Sequence, residues 1–94
     1  MNVVGRGLLE AFKKSHADAR GALDSWLAEA EAAEWQGPED VKARYRSASL
    51  IAGGRVVFNI KGNSYRLDTK IAYKTQVVTI LRIGTHAEYD KWEF

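Results

Sequence analysis

The side chains of this sequence that could act on a phosphate group lie in its second half. They comprise cations that stabilise negative charge and groups that move a proton: Arg66, Lys70, Arg82, His86 and Tyr89. An RNA phosphodiester carries its own nucleophile, the 2′-hydroxyl. Its cleavage therefore needs only a base for that proton, an acid for the leaving 5′ oxygen and a cation for the developing charge. This set of residues predicts metal-free acid–base chemistry on RNA.

Other kinds of catalytic site have little support in the sequence. The chain has no cysteine, and its two histidines, His16 and His86, lie far apart, so a structural zinc site is not expected. The segment 53–58 leads into a strand and lacks the lysine of a phosphate-binding loop, and no nucleophile elbow is present. The acidic residues cluster on one outer helical face, where carboxylates do not converge for metal catalysis. We expect neither a metal nor a cofactor.

The net charge of +2 is distributed unevenly along the 94 residues. Residues 1–40 carry four basic and eight acidic side chains, a charge of −4, whereas residues 41–94 carry ten basic and four acidic side chains, a charge of +6. Between residues 41 and 87 the only acid is Asp68, against nine lysines and arginines. Such asymmetry indicates a polyanionic partner, nucleic acid first. The alternative is a solvated basic surface that binds nothing specific.

The length and composition predict a single domain, residues 1–94. The N-terminus lacks the apolar core of a signal peptide, and no window approaches the roughly 18 apolar residues of a membrane span. We therefore expect a cytoplasmic protein with no membrane partner.

The first half of the chain has the pattern of helices. Apolar residues recur at helical spacing over residues 8–15, after a predicted short strand at residues 2–4. Asp18 is the predicted N-cap of a second helix. The apolar stripe of this helix consists of Leu23, Trp26, Leu27 and Ala30. Gly37 and Pro38 then predict the end of that helix and the start of another short one.

From Ser47 the hydrophobic period changes to two, which predicts strands separated by turns. The predicted strands are residues 47–52, 55–60, 65–73 and 77–84. Gly53 and Gly54 predict a two-residue hairpin, because glycine supplies the positive φ that the favoured hairpin turns require. Gly62 and Asn63 are interpreted as residues of a second turn. We expect an antiparallel meander of three or four strands.

The C-terminal segment should be a short helix, because Thr85 and Glu88 form a capping-box pattern. Two N-terminal helices, a small and mostly antiparallel sheet of about four strands and this final helix make an α+β fold, with the helices on one face of the sheet. Alternation assigns six residues to the helix-facing side: Val56, Phe58, Ile60, Tyr65, Leu67 and Ile71. The opposite side is predicted to be basic: Arg55, Val57, Asn59, Lys61, Arg66, Asp68, Lys70, Ala72 and Lys74.

Two segments of the chain resemble the HigB branch of the RelE-like toxins of bacterial type II toxin–antitoxin systems. Val57–Leu67 has the pattern VFN-x-x-GN-x-x-R, and Arg82–Trp92 contains THxEYD. The resemblance implies a RelE-like fold and an mRNA endoribonuclease that acts on ribosome-bound messages. It also implies an antitoxin partner, a helix-turn-helix protein encoded downstream, with contact to operator DNA only through the antitoxin complex.

The resemblance also implies roles for the matching residues. Arg66 would hold the scissile phosphate, and His86 would be general acid or base, since the ordinary histidine pKa of about 6.5 suits either role. Tyr89, one helical turn after His86, would orient the imidazole, stack a base or donate a proton. Independently of the resemblance, Lys61 and Lys70 are RNA-binding candidates by their charge alone, Arg82 is a second clamp or an ion-pair partner, and Asn59 completes the set. His86 stands where better-known RelE toxins have a basic run, so the identity of the general base stays open.

The leading hypothesis is therefore a ribosome-dependent mRNA interferase that cleaves by 2′-hydroxyl attack. The rival is a non-catalytic RNA-binding module in which the basic face and three aromatic residues hold RNA: Tyr65, Tyr73 and Trp92. A third possibility is a toxin homologue that has lost its activity and only binds an antitoxin. RNA binding without a cleavage product would favour the rival, whereas toxicity on expression in bacteria would argue against the third.

Overall fold

The computed structural model describes all 94 residues and contains one five-stranded sheet with helices packed against it. The strands are β1 Asn2–Val4, β2 Ser49–Ile51, β3 Arg55–Ile60, β4 Tyr65–Ala72 and β5 Val77–Thr85. The helices are α1 Arg6–Ser15, α2 Arg20–Ala32, α3 Pro38–Arg44 and α4 His86–Tyr89, with a 3₁₀ turn at Ala17–Ala19. The predicted α+β class is confirmed. None of these helices combines the length and the apolar character needed to cross a membrane.

The strand order is β1-β5-β4-β3-β2. Strands β2 to β5 form the predicted antiparallel meander, and β1 adds a fifth strand that runs parallel to β5. The short strand predicted at residues 2–4 is confirmed, but its place in the sheet was not predicted, because a three-residue strand carries no sequence signal for its pairing partner. Strand β1 pairs only with Val77–Thr79 and therefore covers only the start of β5.

The hairpin between β2 and β3 differs from its prediction by one residue. Ile51 pairs with Arg55, which leaves Ala52, Gly53 and Gly54 in the loop. The prediction of a two-residue hairpin was therefore wrong. Both glycines do adopt positive φ angles, 80° and 77°, which explains why a turn forms at this point.

The hydrophobic core lies between the helices and the predicted helix-facing side of the sheet. All six sheet residues assigned to that side by alternation are buried in it. Phe58, at its centre, packs against three aromatic rings with centroid distances of 5.1–6.3 Å: Trp26, Trp35 and Tyr45. Truncation of a fully buried phenylalanine costs about 3–5 kcal/mol. Burial of this face consequently fixes which side chains of β3 and β4 point to the opposite side.

The predicted N-cap role of Asp18 is wrong. Asp18 lies inside the 3₁₀ turn, α2 begins at Arg20, and Ala19 occupies the N-cap position. The Asp18 carboxylate instead accepts hydrogen bonds from the Tyr65 hydroxyl at 2.6 Å and from Lys61 Nζ at 2.9 Å. Tyr65 on β4 and Lys61 in the turn before it therefore replace the local backbone N–H groups that a cap would use.

Because Asp18 has these two hydrogen-bond partners, the stability of the fold should change with pH in the acid range. The Tyr65 hydroxyl, followed by Lys61, lowers the pKa of Asp18 below its ordinary value of 3.8. A carboxyl whose pKa is lowered by folding stabilises the protein above its unfolded pKa, and this contribution is lost as the pH falls through the folded pKa. The difference in Tm between the wild type and Tyr65→Phe should therefore be largest near neutral pH and narrow below about pH 4.

Thermal unfolding followed by circular dichroism between about pH 2 and pH 7 would measure this difference. Tyr73→Phe is the matched control, because Tyr73 is half-buried and its hydroxyl makes no hydrogen bond to a carboxylate. A difference for Tyr65→Phe that stayed constant over the whole range would contradict the assignment.

Candidate active site

Arg66 lies on β4, on the sheet face opposite the helices, and its side chain is held by the preceding turn. Its Nη1 donates to the backbone carbonyls of Asn63 at 3.0 Å and Tyr65 at 3.2 Å, and its Nη2 donates to the Asn63 side-chain oxygen. Only 6% of Arg66 is exposed, and no carboxylate forms an ion pair with it. Burial of a cation without a counter-ion is costly, which makes this guanidinium a strong site for an incoming anion.

His86 is placed by the short helix α4. The helix begins with the predicted capping box, in which the Thr85 hydroxyl accepts from the Glu88 amide at 3.2 Å and the Glu88 carboxylate accepts from the Thr85 amide at 2.8 Å. Hydrogen bonding from Thr85, first of all from its backbone amide, lowers the pKa of the Glu88 carboxyl. The His86 amide donates to the Ser64 carbonyl at 3.1 Å. The turn that holds Arg66 therefore also anchors the first residue of α4.

The side chains of Arg66 and His86 meet directly. Arg66 Nη2 lies 3.0 Å from His86 Nδ1. A guanidinium can only donate, so Nδ1 is the acceptor and the hydrogen of the neutral imidazole is on Nε2. Nε2 faces outward and lies 3.9 Å from an Asp90 carboxylate oxygen. About half of the His86 side chain, 49%, is exposed and within reach of a ligand.

Tyr89 completes the cluster. Its ring faces the Arg66 guanidinium, with 5.2 Å between the guanidinium carbon and the ring centroid, and it contacts the Trp92 ring edge-on at 5.6 Å. The Tyr89 hydroxyl makes no hydrogen bond within the protein. The three residues predicted as catalytic, Arg66, His86 and Tyr89, are thus neighbours in the structure.

The two other arginines of this face have a different environment. Arg55 and Arg82 both form ion pairs with Asp68, a carboxylate with no exposed surface. Arg82 also stacks on the Trp92 ring, with 4.4 Å between its guanidinium carbon and the ring centroid. Two guanidinium groups therefore share the single Asp68 carboxylate on this face. Of the three arginines that the structure places here, only Arg66 lacks a carboxylate partner.

Trp92 comes close to the sheet where β5 has a glycine. A Cβ added at Gly84 would lie only 2.9 Å from Trp92 Cζ2. Gly84 is paired with Arg66 across the sheet. The missing side chain therefore lets the C-terminal segment pack next to the Arg66 and His86 cluster.

Comparison with family models identifies the chain. A model of the HigB toxins, RelE-like toxic components of a toxin–antitoxin system, matches residues 19–92. The chain belongs to this family. A search among curated proteins gives no significant match. The protein is therefore the toxin of a toxin–antitoxin system, its fold is the predicted RelE-like one, and its family implies an antitoxin protein as partner.

The structure separates the other predicted RNA-binding residues of this HigB-type toxin. Lys70 is exposed on the Arg66 face and has no ion-pair partner, and Asn59 is paired with Arg66 across the sheet. Lys61 lies in the turn and pairs with Asp18 on the helix-facing side. Of the four candidates, Lys70 is the freely available cation of this face.

Two of the three aromatic residues that the rival hypothesis assigns to RNA binding already contact other residues of the toxin. Tyr65 is buried in the core and bonded to Asp18, and Trp92 stacks under Arg82. Tyr73 is half-buried next to the core. Stacking on RNA bases would require an open ring face, so Tyr65 is wrong as a stacking candidate.

Sequence reasoning missed the role of Asn63. It assigned Asn63 to a turn, which the structure confirms, but the side chain also accepts a hydrogen bond from Arg66. The spacing of three residues between Asn63 and Arg66 could have indicated this contact, because a tight turn brings the two side chains to the same end of β4.

Nowhere in the toxin do three or more His, Asp or Glu side chains form a group that could hold a metal ion.

Proposed function

We propose that the toxin is an mRNA interferase that cleaves messages on the translating ribosome. The 2′-hydroxyl of one nucleotide attacks the adjacent phosphorus, the bond to the 5′ oxygen breaks, and the products are a 2′,3′-cyclic phosphate end and a 5′-hydroxyl end. Hydrolysis of the cyclic phosphate by water then gives a 3′-phosphate end. The observation that carries this proposal is the buried Arg66 guanidinium, which has no counter-ion and lies 3.0 Å from His86 Nδ1.

The first step is binding of the scissile phosphate at Arg66. Four of its five N–H donors already have acceptors, so a phosphate that binds through more than the free Nε hydrogen has to displace one of them. One of these acceptors, His86 Nδ1, belongs to a side chain that is 49% exposed, and a charged phosphate oxygen accepts more strongly than a neutral imidazole nitrogen. The exchange frees the lone pair of Nδ1.

The freed imidazole can then act as a general base, because the lone pair of Nδ1 is available. Nδ1 accepts the proton of the 2′-hydroxyl as the new oxygen–phosphorus bond forms. The Tyr89 hydroxyl, which has no partner in the protein, donates a proton to the leaving 5′ oxygen and is reprotonated from water. The Arg66 charge stabilises the phosphorane between these steps. Two proton transfers and one fixed cation account for the whole reaction without a metal.

The shape of this region suits a polymeric substrate. Arg66, His86 and Tyr89 line none of the grooves of the molecule. Arg66 lies on the outer face of the sheet next to α4, which carries His86 and Tyr89, and the exposed Lys70 lies further along β4. A single RNA strand can reach such a face without entering a cavity, and each additional phosphate near Lys70 strengthens binding by charge.

The test adds purified toxin to a translating bacterial extract and maps the ends of the mRNA fragments. We expect cuts in coding regions with cyclic phosphate or 3′-phosphate and 5′-hydroxyl ends, and no cut where the scissile nucleotide is 2′-deoxy. Fragments with 3′-hydroxyl and 5′-phosphate ends would contradict 2′-hydroxyl attack. RNA binding without fragments would favour the non-catalytic module.

The antitoxin is proposed to be a helix-turn-helix protein encoded immediately downstream. An acidic segment of it would compete with RNA for the uncompensated Arg66, since both offer negative charge. A complex in which Arg66 and His86 stayed exposed and active would contradict this part of the proposal.

A further inference from the structure

The Asn63 side chain has an unusual position for a turn residue. The turn from Lys61 to Ser64 is closed by a hydrogen bond from the Ser64 amide to the Lys61 carbonyl at 3.2 Å, so it is complete without the Asn63 side chain. That side chain is exposed to solvent on one side and bonded to Arg66 Nη2 on the other. Its amide oxygen therefore serves the arginine and not the turn.

Asn63 and His86 share the same nitrogen of Arg66. Nη2 has two hydrogens, one directed to the Asn63 amide oxygen and one to His86 Nδ1. The backbone carbonyls that accept from Nη1 hold one side of the guanidinium, and these two acceptors hold the hydrogens of Nη2. Without the amide oxygen, Nη2 keeps a single partner, and its hydrogen is held less firmly towards Nδ1.

The chemical nature of residue 63 matters as much as its position. An amide oxygen and a carboxylate oxygen have nearly the same shape, but a carboxylate here would form an ion pair with Arg66, as Asp68 does with Arg55 and Arg82. The neutral amide orients the cation and leaves its charge available to a phosphate.

We propose that Asn63 is a positioning residue of the toxin. It holds the Arg66 guanidinium against His86, keeps the imidazole hydrogen on Nε2 in the free protein, and leaves the Arg66 charge uncompensated for the substrate. Its effect on cleavage rests on the proposed function, whereas its effect on the His86 tautomer does not.

The tautomer can be measured directly in the full-length protein. Nitrogen-15 NMR of the imidazole rings distinguishes a protonated Nε2 from a protonated Nδ1, and spectra are compared at a pH where the ring signals are those of neutral histidine. We expect the Nε2-protonated form of His86 in the wild type and in Asn63→Asp, and a mixture of both forms in Asn63→Ala. His16 serves as an internal reference whose signals should not change. Asn2→Ala, an exposed asparagine on β1, is the matched control.

The cleavage assay gives the second readout. Asn63→Ala should reduce cleavage about 10- to 100-fold, because the reacting groups lose their alignment. Asn63→Asp should also reduce cleavage, although its His86 tautomer is that of the wild type. Its carboxylate would form an ion pair with Arg66 and compete with the phosphate of the substrate. An unchanged tautomer in Asn63→Ala would overturn the proposal, and so would wild-type cleavage by Asn63→Asp. If the wild type cleaved no RNA, the proposed function would fail while the NMR comparison would still decide the positioning role.

Discussion

Replacement of Arg66 by alanine should lower the rate of mRNA cleavage about 10³-fold. Loss of one preorganised donor to a transition-state oxyanion costs about 10²- to 10³-fold, and Arg66 offers both a donor fork and a full positive charge. The charge is not replaced by its neighbours, because Arg55 and Arg82 are held by Asp68. Growth of a bacterial host expressing the variant should therefore be close to normal.

Arg66→Lys separates charge from geometry. Lysine keeps the positive charge but cannot donate to Asn63 and His86 from one nitrogen in the planar arrangement of a guanidinium. We expect its cleavage rate to lie between those of the wild type and Arg66→Ala. The rates would be measured with the translating extract, at matched concentrations of protein that circular dichroism shows to be folded.

Arg46→Ala is the control for both variants, because Arg46 is exposed and makes no hydrogen bond or ion pair in the structure. It should cleave at the wild-type rate. Cleavage by Arg66→Ala within about threefold of the wild-type rate, well short of the expected 10²- to 10³-fold loss, would remove Arg66 from the mechanism.

Replacement of Asp68 by alanine should have the largest effect on stability. Its carboxylate is completely buried and accepts from Arg55 Nε at 3.2 Å and from Arg82 Nε at 2.8 Å. Removal of one partner of a buried ion pair typically costs about 3–5 kcal/mol. Both arginines are partly exposed, and water can hydrate them in the variant, so we expect about 2–3 kcal/mol. For a domain of this size that corresponds to a fall in Tm of about 10–20 °C.

Urea unfolding followed by tryptophan fluorescence would give this free energy of unfolding. Glu31→Ala is the matched control, since it removes the carboxylate of the exposed ion pair between Arg6 and Glu31. Exposed pairs contribute about 0–1 kcal/mol. Equal destabilisation by the two variants would show that burial of the Asp68 carboxylate has no special role in the fold.

Much of the fold could be predicted because its signals are local. The alternation of apolar residues on β3 and β4 follows from the two-residue period of a strand, and burial of one face confirms it down to Phe58 and Leu67. The capping box of α4 needs only Thr85 and Glu88, which are three residues apart. The pairing of β1 with β5 could not be predicted, because three residues cannot specify a partner more than seventy positions away.

The position of Arg82 shows where local patterns fail. Between β4 and β5 the register shifts by one residue, since Asp68 faces Arg82 but Thr69 faces Ile80. The extra residue, Leu81, forms a β-bulge. Uninterrupted alternation from Ile80 would turn Arg82 towards the helices, and the bulge turns it towards Asp68 instead.

The sequence by itself predicted a type of chemistry for this toxin and three side chains that would perform it. Arg66, His86 and Tyr89 are identified by residue type and by two motifs, and both are properties of short segments. Only the tertiary structure decided which arginine keeps its charge for a substrate. That choice depends on contacts between residues far apart in the chain. The Asp68 carboxylate forms ion pairs with Arg55 and Arg82. Arg66 instead forms hydrogen bonds with the neutral side chains of Asn63 and His86. The free energies of burial and ion pairing depend on these neighbours in three dimensions, so a pattern along the chain does not predict these free energies.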